Sequence, residues 1–129
     1  MSLIVACSVF GGLDSRQRSS AEETIRALRK IEASSEVGLN LYRFNDLLTD
    51  ANTDLKEAKS RLPDGELKNE LTQAFESYVE AYSEWKTFAD FNLTPSETRQ
   101  ILGKYLSEAK THTDNASKLL KWFGENNEL

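Results

Sequence analysis

Residues 41–65 read LYRFNDLLTDANTDLKEAKSRLPDG, and this stretch decides the fold class. Its apolar residues recur as Leu41, Phe44, Leu48, Ala51, Leu55, Ala58 and Leu62. The steps alternate between three and four without a miss. At 3.6 residues per turn, that rhythm holds one stripe on one helix face. Pro63 lacks the N–H that a helix interior requires, and Asp64 and Gly65 suit a tight turn. The stripe therefore ends in a chain reversal.

Downstream the same rhythm returns twice. Leu67, Leu71, Ala74, Tyr78, Ala81, Trp85 and Phe88 mark a second helix, widened by Phe75, Val79, Tyr82 and Ala89. A wide stripe suits a helix with two neighbours. Thr94-Pro95-Ser96-Glu97 opens a third helix with a capping box, in which the hydroxyl and the carboxylate each satisfy a free backbone N–H. Leu102, Tyr105, Ala109, His112, Ala116, Leu119 and Phe123 follow on one face. Lys118 and Lys121 complement the negative end of that helix, and Gly124 reads as its stop.

Upstream the stripe runs back through Ile31, Leu28, Ile25 and Ala21, but its phase changes near Ser34-Ser35-Glu36-Val37-Gly38. A phase change marks either a bend in one helix or a reversal at Gly38 that makes a short fourth helix. The first reading is adopted: one helix over 20–62, straight or kinked, ~65 Å long at 1.5 Å per residue. Its neighbours would reach only ~40 Å. An overhang would leave Ile25, Leu28 and Ile31 bare, which implies a second copy of the chain or another protein as cover. The expected fold is all-α, an antiparallel three-helix (up-down-up) bundle with a long first helix. The expected divisions are 1–18 leader and polar linker, 19–124 bundle, and 125–129 frayed tail.

Composition narrows the function. The 129 residues hold 16 basic and 21 acidic side chains, a net charge of −5. Phosphate binding needs clustered Lys and Arg, so a general nucleic-acid binder is disfavoured. One Cys and one His exclude an internal disulfide, a multi-thiolate metal site and any two-histidine site within the chain. No nucleophile elbow, phosphate loop, dinucleotide fingerprint or zinc pattern occurs. No cofactor, metal or catalytic residue is expected, and the chain does not read as an enzyme.

Residues 3–13, LIVACSVFGGL, form the one long apolar run, and a polar stretch follows. Within it Ile4-Val5-Ala6-Cys7 resembles the lipobox of bacterial lipoproteins, with an apolar residue three before the Cys and a small one just before it. The resemblance implies that Cys7 carries a lipid and heads the mature chain. It also implies a cell-envelope location, periplasmic or outer-surface, with the lipid as the sole membrane contact. No basic residue precedes Cys7, so that reading takes the native start as trimmed. The alternative is a cytoplasmic protein whose apolar arm packs on the domain. Tyr78-Val79-Glu80-Ala81-Tyr82-Ser83-Glu84-Trp85 after a Leu-Pro turn is similar to small bacterial lipoproteins of unassigned function.

Three features invite chemistry. His112 sits on the apolar stripe one turn after Glu108, where it reads as a hydrogen-bonded residue at the core edge or as a ligand contact. The rows Asp46, Asp50, Asp54 and Glu76, Glu80, Glu84 read as solvated faces. Phe75, Tyr78, Tyr82, Trp85, Phe88 and Phe91 crowd the second helix and its end. Rings with polar tips line cores, pockets or interfaces. The leading reading is a non-enzymatic interaction module tethered at Cys7. The alternative is a carrier or sensor holding an apolar molecule among Tyr78, Tyr82, Trp85 and His112.

Overall fold

The computed structural model describes residues 12–37 and 40–127. They form four helices: α1 (Ser15–Val37), α2 (Leu41–Arg61), α3 (Glu66–Thr87) and α4 (Pro95–Asn127). A single 3-10 turn, Ala89–Phe91, lies between α3 and α4. No strand occurs among the described residues.

The helix read as continuous over 20–62 is two helices. The Gln17 side-chain amide donates to the Arg61 carbonyl at 2.9 Å, and Arg61 Nη1 donates to Ser20 Oγ at 2.9 Å. Thr24 Oγ1 lies 3.2 Å from the Asp54 carbonyl, which accepts its hydrogen bond. Each contact joins the start of α1 to the end of α2, so the pair is antiparallel. The phase change at 34–38 is therefore a reversal, and the three-helix expectation gives way to four helices. Gly38 itself lies outside the described residues.

Burial explains the reversal. The true stripe of α1 is Ala21, Thr24, Leu28, Ile31 and Ser35, all buried. Leu28 and Ile31 are fully buried within the single chain, and Ile25 packs at the core edge. Hiding each of the first two is worth about 1.5–3 kcal/mol, which an overhang would forgo. Ile25, Leu28 and Ile31 are thus core residues here, not the bare dimer face expected. Asn40 also caps α2, its Oδ1 accepting from the Arg43 N–H at 3.0 Å.

Both boundaries of the domain shift outward. Asp14 and Gln17 form a capping box: Gln17 N–H donates to Asp14 Oδ1 at 2.8 Å, and Asp14 N–H to Gln17 Oε1 at 3.0 Å. The helix therefore begins at Ser15, inside the stretch read as linker, and Leu13 before it is buried. At the other terminus α4 runs through Gly124 to Asn127, so Gly124 does not stop it. A Cβ on Gly124 would lie 3.9 Å from Arg18 Cζ. The Arg18 guanidinium therefore lies beside the last turns of α4, where the helix dipole favours a cation.

The other elements follow their stripes. α2 buries Phe44, Leu47, Leu48, Ala51, Leu55 and Ala58. Gly65 turns the chain with φ 156° and ψ −169°, a conformation essentially confined to glycine. α3 buries Leu67, Leu71, Ala74, Ser77, Tyr78 and Ala81. In α4 the Thr94 box forms as expected, with Thr94 N–H to Glu97 Oε1 at 2.9 Å and Glu97 N–H to Thr94 Oγ1 at 3.1 Å.

α1 packs on α2 and α4, and α3 on the same two. Arg29 on α1 meets Asp114 on α4 at 2.7 Å, and Glu70 on α3 meets His112 on α4 at 2.6 Å. With Arg18 beside Gly124, and with Tyr78 and Leu106 bordering one groove, these pairings set α4 antiparallel to both neighbours, giving an up-down-up-down bundle. α1 and α3 also approach across the diagonal, whereas the α2 and α4 backbones stay apart. The bundle has two ends. At the entry end α1 and α3 begin and α2 and α4 finish; the opposite end holds the start of α2, the finish of α3 and the 3-10 turn.

Candidate functional site

The opposite end is aromatic. Phe44, fully buried on the first turn of α2, is ringed by three side chains of α3. Tyr78 meets it edge-on with centroids 6.2 Å apart, Tyr82 stacks at 6.2 Å with 10° between planes, and Trp85 is edge-on at 5.5 Å. Positions 78, 82 and 85 share one face of α3, so helical periodicity alone brings them to one partner ring. Lys86 Nζ sits 5.3 Å from the Tyr82 ring centroid, a cation–π contact. Next in the chain, Phe88 and Phe91 meet edge-on at 5.5 Å. Asn92 then adopts the left-handed conformation, with φ 53° and ψ 43°. An asparagine tolerates that region better than most residues, and it directs the chain toward α4.

Two rings at this end stand in solvent. Tyr42 is 85% exposed and Phe91 65% exposed. Neither position is required by the core. The sequence left Tyr42 unmarked, because it lies off the stripe that Leu41 and Phe44 define. Large aromatics at interfaces bury much area at small entropic cost.

The four residues expected to gather around a ligand do not all meet. Tyr78, Tyr82 and Trp85 share Phe44, but His112 lies against Glu70, two helical turns before Tyr78 on α3. The His112 Nδ1 to Glu70 Oε2 contact ties α3 to α4, with both side chains about one-quarter exposed. Positions 70 and 112 are not related by any local spacing, so only the register between helices reveals the pair.

A groove of about 480 Å³ runs between α1, α3 and α4, bordered by Glu32, Tyr78, Arg99, Gly103, Leu106 and Lys110. A Cβ on Gly103 would meet nothing within 4 Å, so space lies above it. Elsewhere Arg29 bridges Glu32 at 2.9 Å and Asp114 at 2.7 Å, with Lys110 also on Asp114 at 3.1 Å. The Arg29 hydrogen bond holds the Asp114 carboxyl below its ordinary range, against partial burial, with help from Lys110.

The acidic rows take different roles. Burial pushes the Asp54 carboxyl above its ordinary range, and Glu23, Glu57 and Asp50 add to the rise while Lys30 opposes it. Asp54 lines a cleft of about 220 Å³ between α1 and α2, with Glu23, Arg26, Lys30 and Asp50. No cluster of three metal-ligating side chains occurs among the described residues, and no described helix is long and apolar enough to cross a membrane. Cys7 lies outside the described residues. No family model, curated protein or solved structure matches the chain.

Proposed function

We propose that the chain is a non-enzymatic interaction module of the bacterial cell envelope, tethered by lipid at Cys7, whose aromatic end docks on another protein. The carrying observation is the pair of solvent-facing rings, Tyr42 and Phe91, at the same end of the bundle as an ordered aromatic cluster. The Phe88 ring, edge-on to Phe91, would help pre-organise that side chain, so less entropy is lost on docking. The segment bearing Cys7 joins α1 at the entry end. The 23 residues of α1 span ~35 Å from its start toward the aromatic end.

Site-specific photo-crosslinking in the producing cells tests the docking. A photoreactive residue at Tyr42 or Phe91 is expected to give one discrete protein adduct, and one at exposed Glu76 none. No adduct from either ring position, or the same adduct from all three, contradicts it. Mass spectrometry of the native protein tests the tether, through a diacylglycerol mass on Cys7.

A carrier of a small apolar molecule is the second reading, favoured by the open space above Gly103 beside Tyr78. Gly103→Leu would fill that space. Loss of a co-purifying small molecule, with the protein adducts unchanged, would favour the carrier.

A further inference from the structure

We propose that the cavity between the start of α1 and the last turns of α4 binds a small organic anion, whose carboxylate or phosphate oxygens bridge the Nε–H and Nη2–H donors of Arg18. The inference is independent of the docking at the aromatic end and of any lipid on Cys7.

Arg18 lies on the first turn of α1. Its Nε and Nη2 are closed to solvent and find no hydrogen-bond partner among the described residues. A guanidinium keeps its charge at any physiological pH, and all its N–H groups are donors. A charged donor left buried and unmet is costly, and buried polar groups in folded proteins are met as a rule. The two unmet nitrogens share one edge of the planar group, with their N–H bonds side by side. That is the geometry a carboxylate or phosphate takes through two parallel hydrogen bonds. The vacant edge therefore specifies its partner: one head bearing two oxygens.

The surroundings fit such a ligand. The guanidinium packs along α4, with Cζ 3.9 Å and Nη2 4.0 Å from a Cβ built on Gly124, so the side chain is partly ordered before binding. A cavity of about 470 Å³ adjoins it, bordered by Glu22, Ser117, Leu120, Lys121 and Glu125. Small-molecule sites are of this size. Ser117 offers a hydroxyl, Lys121 a second cation and Leu120 an apolar wall, which suits an acid with an apolar body. Glu22 and Glu125 balance the two cations, so the paired donors select the ligand and net charge does not. Neither carboxylate takes those donors, although Glu22 stands one turn along the same helix. Glu22, Lys121 and Glu125 are long, exposed side chains that can swing aside as a ligand enters.

Heteronuclear magnetic resonance of the labelled full chain tests this, because arginine Nε–H groups give their own signals. The probes are benzoate, phenyl phosphate and benzyl alcohol, in buffer free of other carboxylates and phosphates. The Arg18 signal, assigned by its loss in Arg18→Lys, is expected to shift saturably with at least one of the two acids. The tighter acid identifies the head. Benzyl alcohol, an apolar body without the oxyanion, is expected to leave the signal in place. Backbone signals of Ser117 and Lys121 report affinity in the variants. Arg18→Lys keeps the charge but loses the fork, and is expected to weaken binding about tenfold or more, the worth of one charge-assisted hydrogen bond. If Arg18→Lys does not fold, Lys121→Glu on the surface is expected to weaken binding severalfold. No shift with either acid, an equal shift with benzyl alcohol, or unchanged affinity in the variants overturns the proposal. So does an Arg18 signal that moves in Glu22→Gln or Glu125→Gln without any probe and no longer responds to the acids in the parent, because the chain's own carboxylate would then fill the fork.

Discussion

Thr94 and Glu97 satisfy each other's backbone N–H groups at the start of α4. The Thr94 backbone N–H, helped by the Thr94 hydroxyl, draws the Glu97 carboxyl below its ordinary range. A depressed carboxylate stabilises the fold above its unfolded pKa, and that contribution is lost as pH falls through the folded value. Thr94→Ala is expected to cost about 1 kcal/mol in urea unfolding at neutral pH. The cost should shrink once the carboxylates protonate, below about pH 4. Asp54 has the opposite sign, because burial raises it. Its charge opposes folding at neutral pH, and that penalty fades as pH falls through the raised folded value toward the unfolded one. Asp54→Asn is therefore expected to raise Tm at pH 7, with the gap to the parent closing toward about pH 4. A parent that is the more stable at neutral pH would contradict this. The Thr94 box was legible because all its parts lie within four residues. The Asp14 box is equally local, but its polar surroundings read as linker, and it went unmarked.

Each helix keeps a three-four stripe; α2 and α3 bury most of theirs, whereas α4 buries Leu102, Ala109 and Ala116 and half-buries the rest. The stripe of α1 was only half legible. Its core face includes Thr24 and Ser35, polar residues that a hydrophobic count passes over. Thr24 is tolerated at full burial because its hydroxyl bonds the Ser20 carbonyl at 2.8 Å and reaches the Asp54 carbonyl. With those positions unread, Ile25 stood in for Thr24, and the reversal looked like a kink. Leu28→Ala separates the two arrangements. In the folded-back helix it is expected to cost about 2–5 kcal/mol, while Ile25→Ala at the core edge costs less. A bare overhang would make both substitutions nearly neutral in stability and would instead alter self-association.

At the scale of the whole molecule, the bundle separates two surfaces: aromatic rings at one end, and Arg18 beside its cavity at the other. The crowd of rings from Phe75 to Phe91 was legible from spacing, but not which rings stand exposed, since exposure depends on where each helix ends relative to its neighbours. The His112–Glu70 contact was hidden for the same reason. All of this depends on α1 folding back along α2. Spin labels at exposed Ser19 and Ser60, in a Cys7→Ser chain, measure that directly by pulsed electron spin resonance. Adjacent helix axes lie ~8–10 Å apart, so with the label arms the distance is expected within about 25 Å. A distance of ~60 Å, the rise of one unbroken helix between those positions, would contradict the fold and the functional reading built on it.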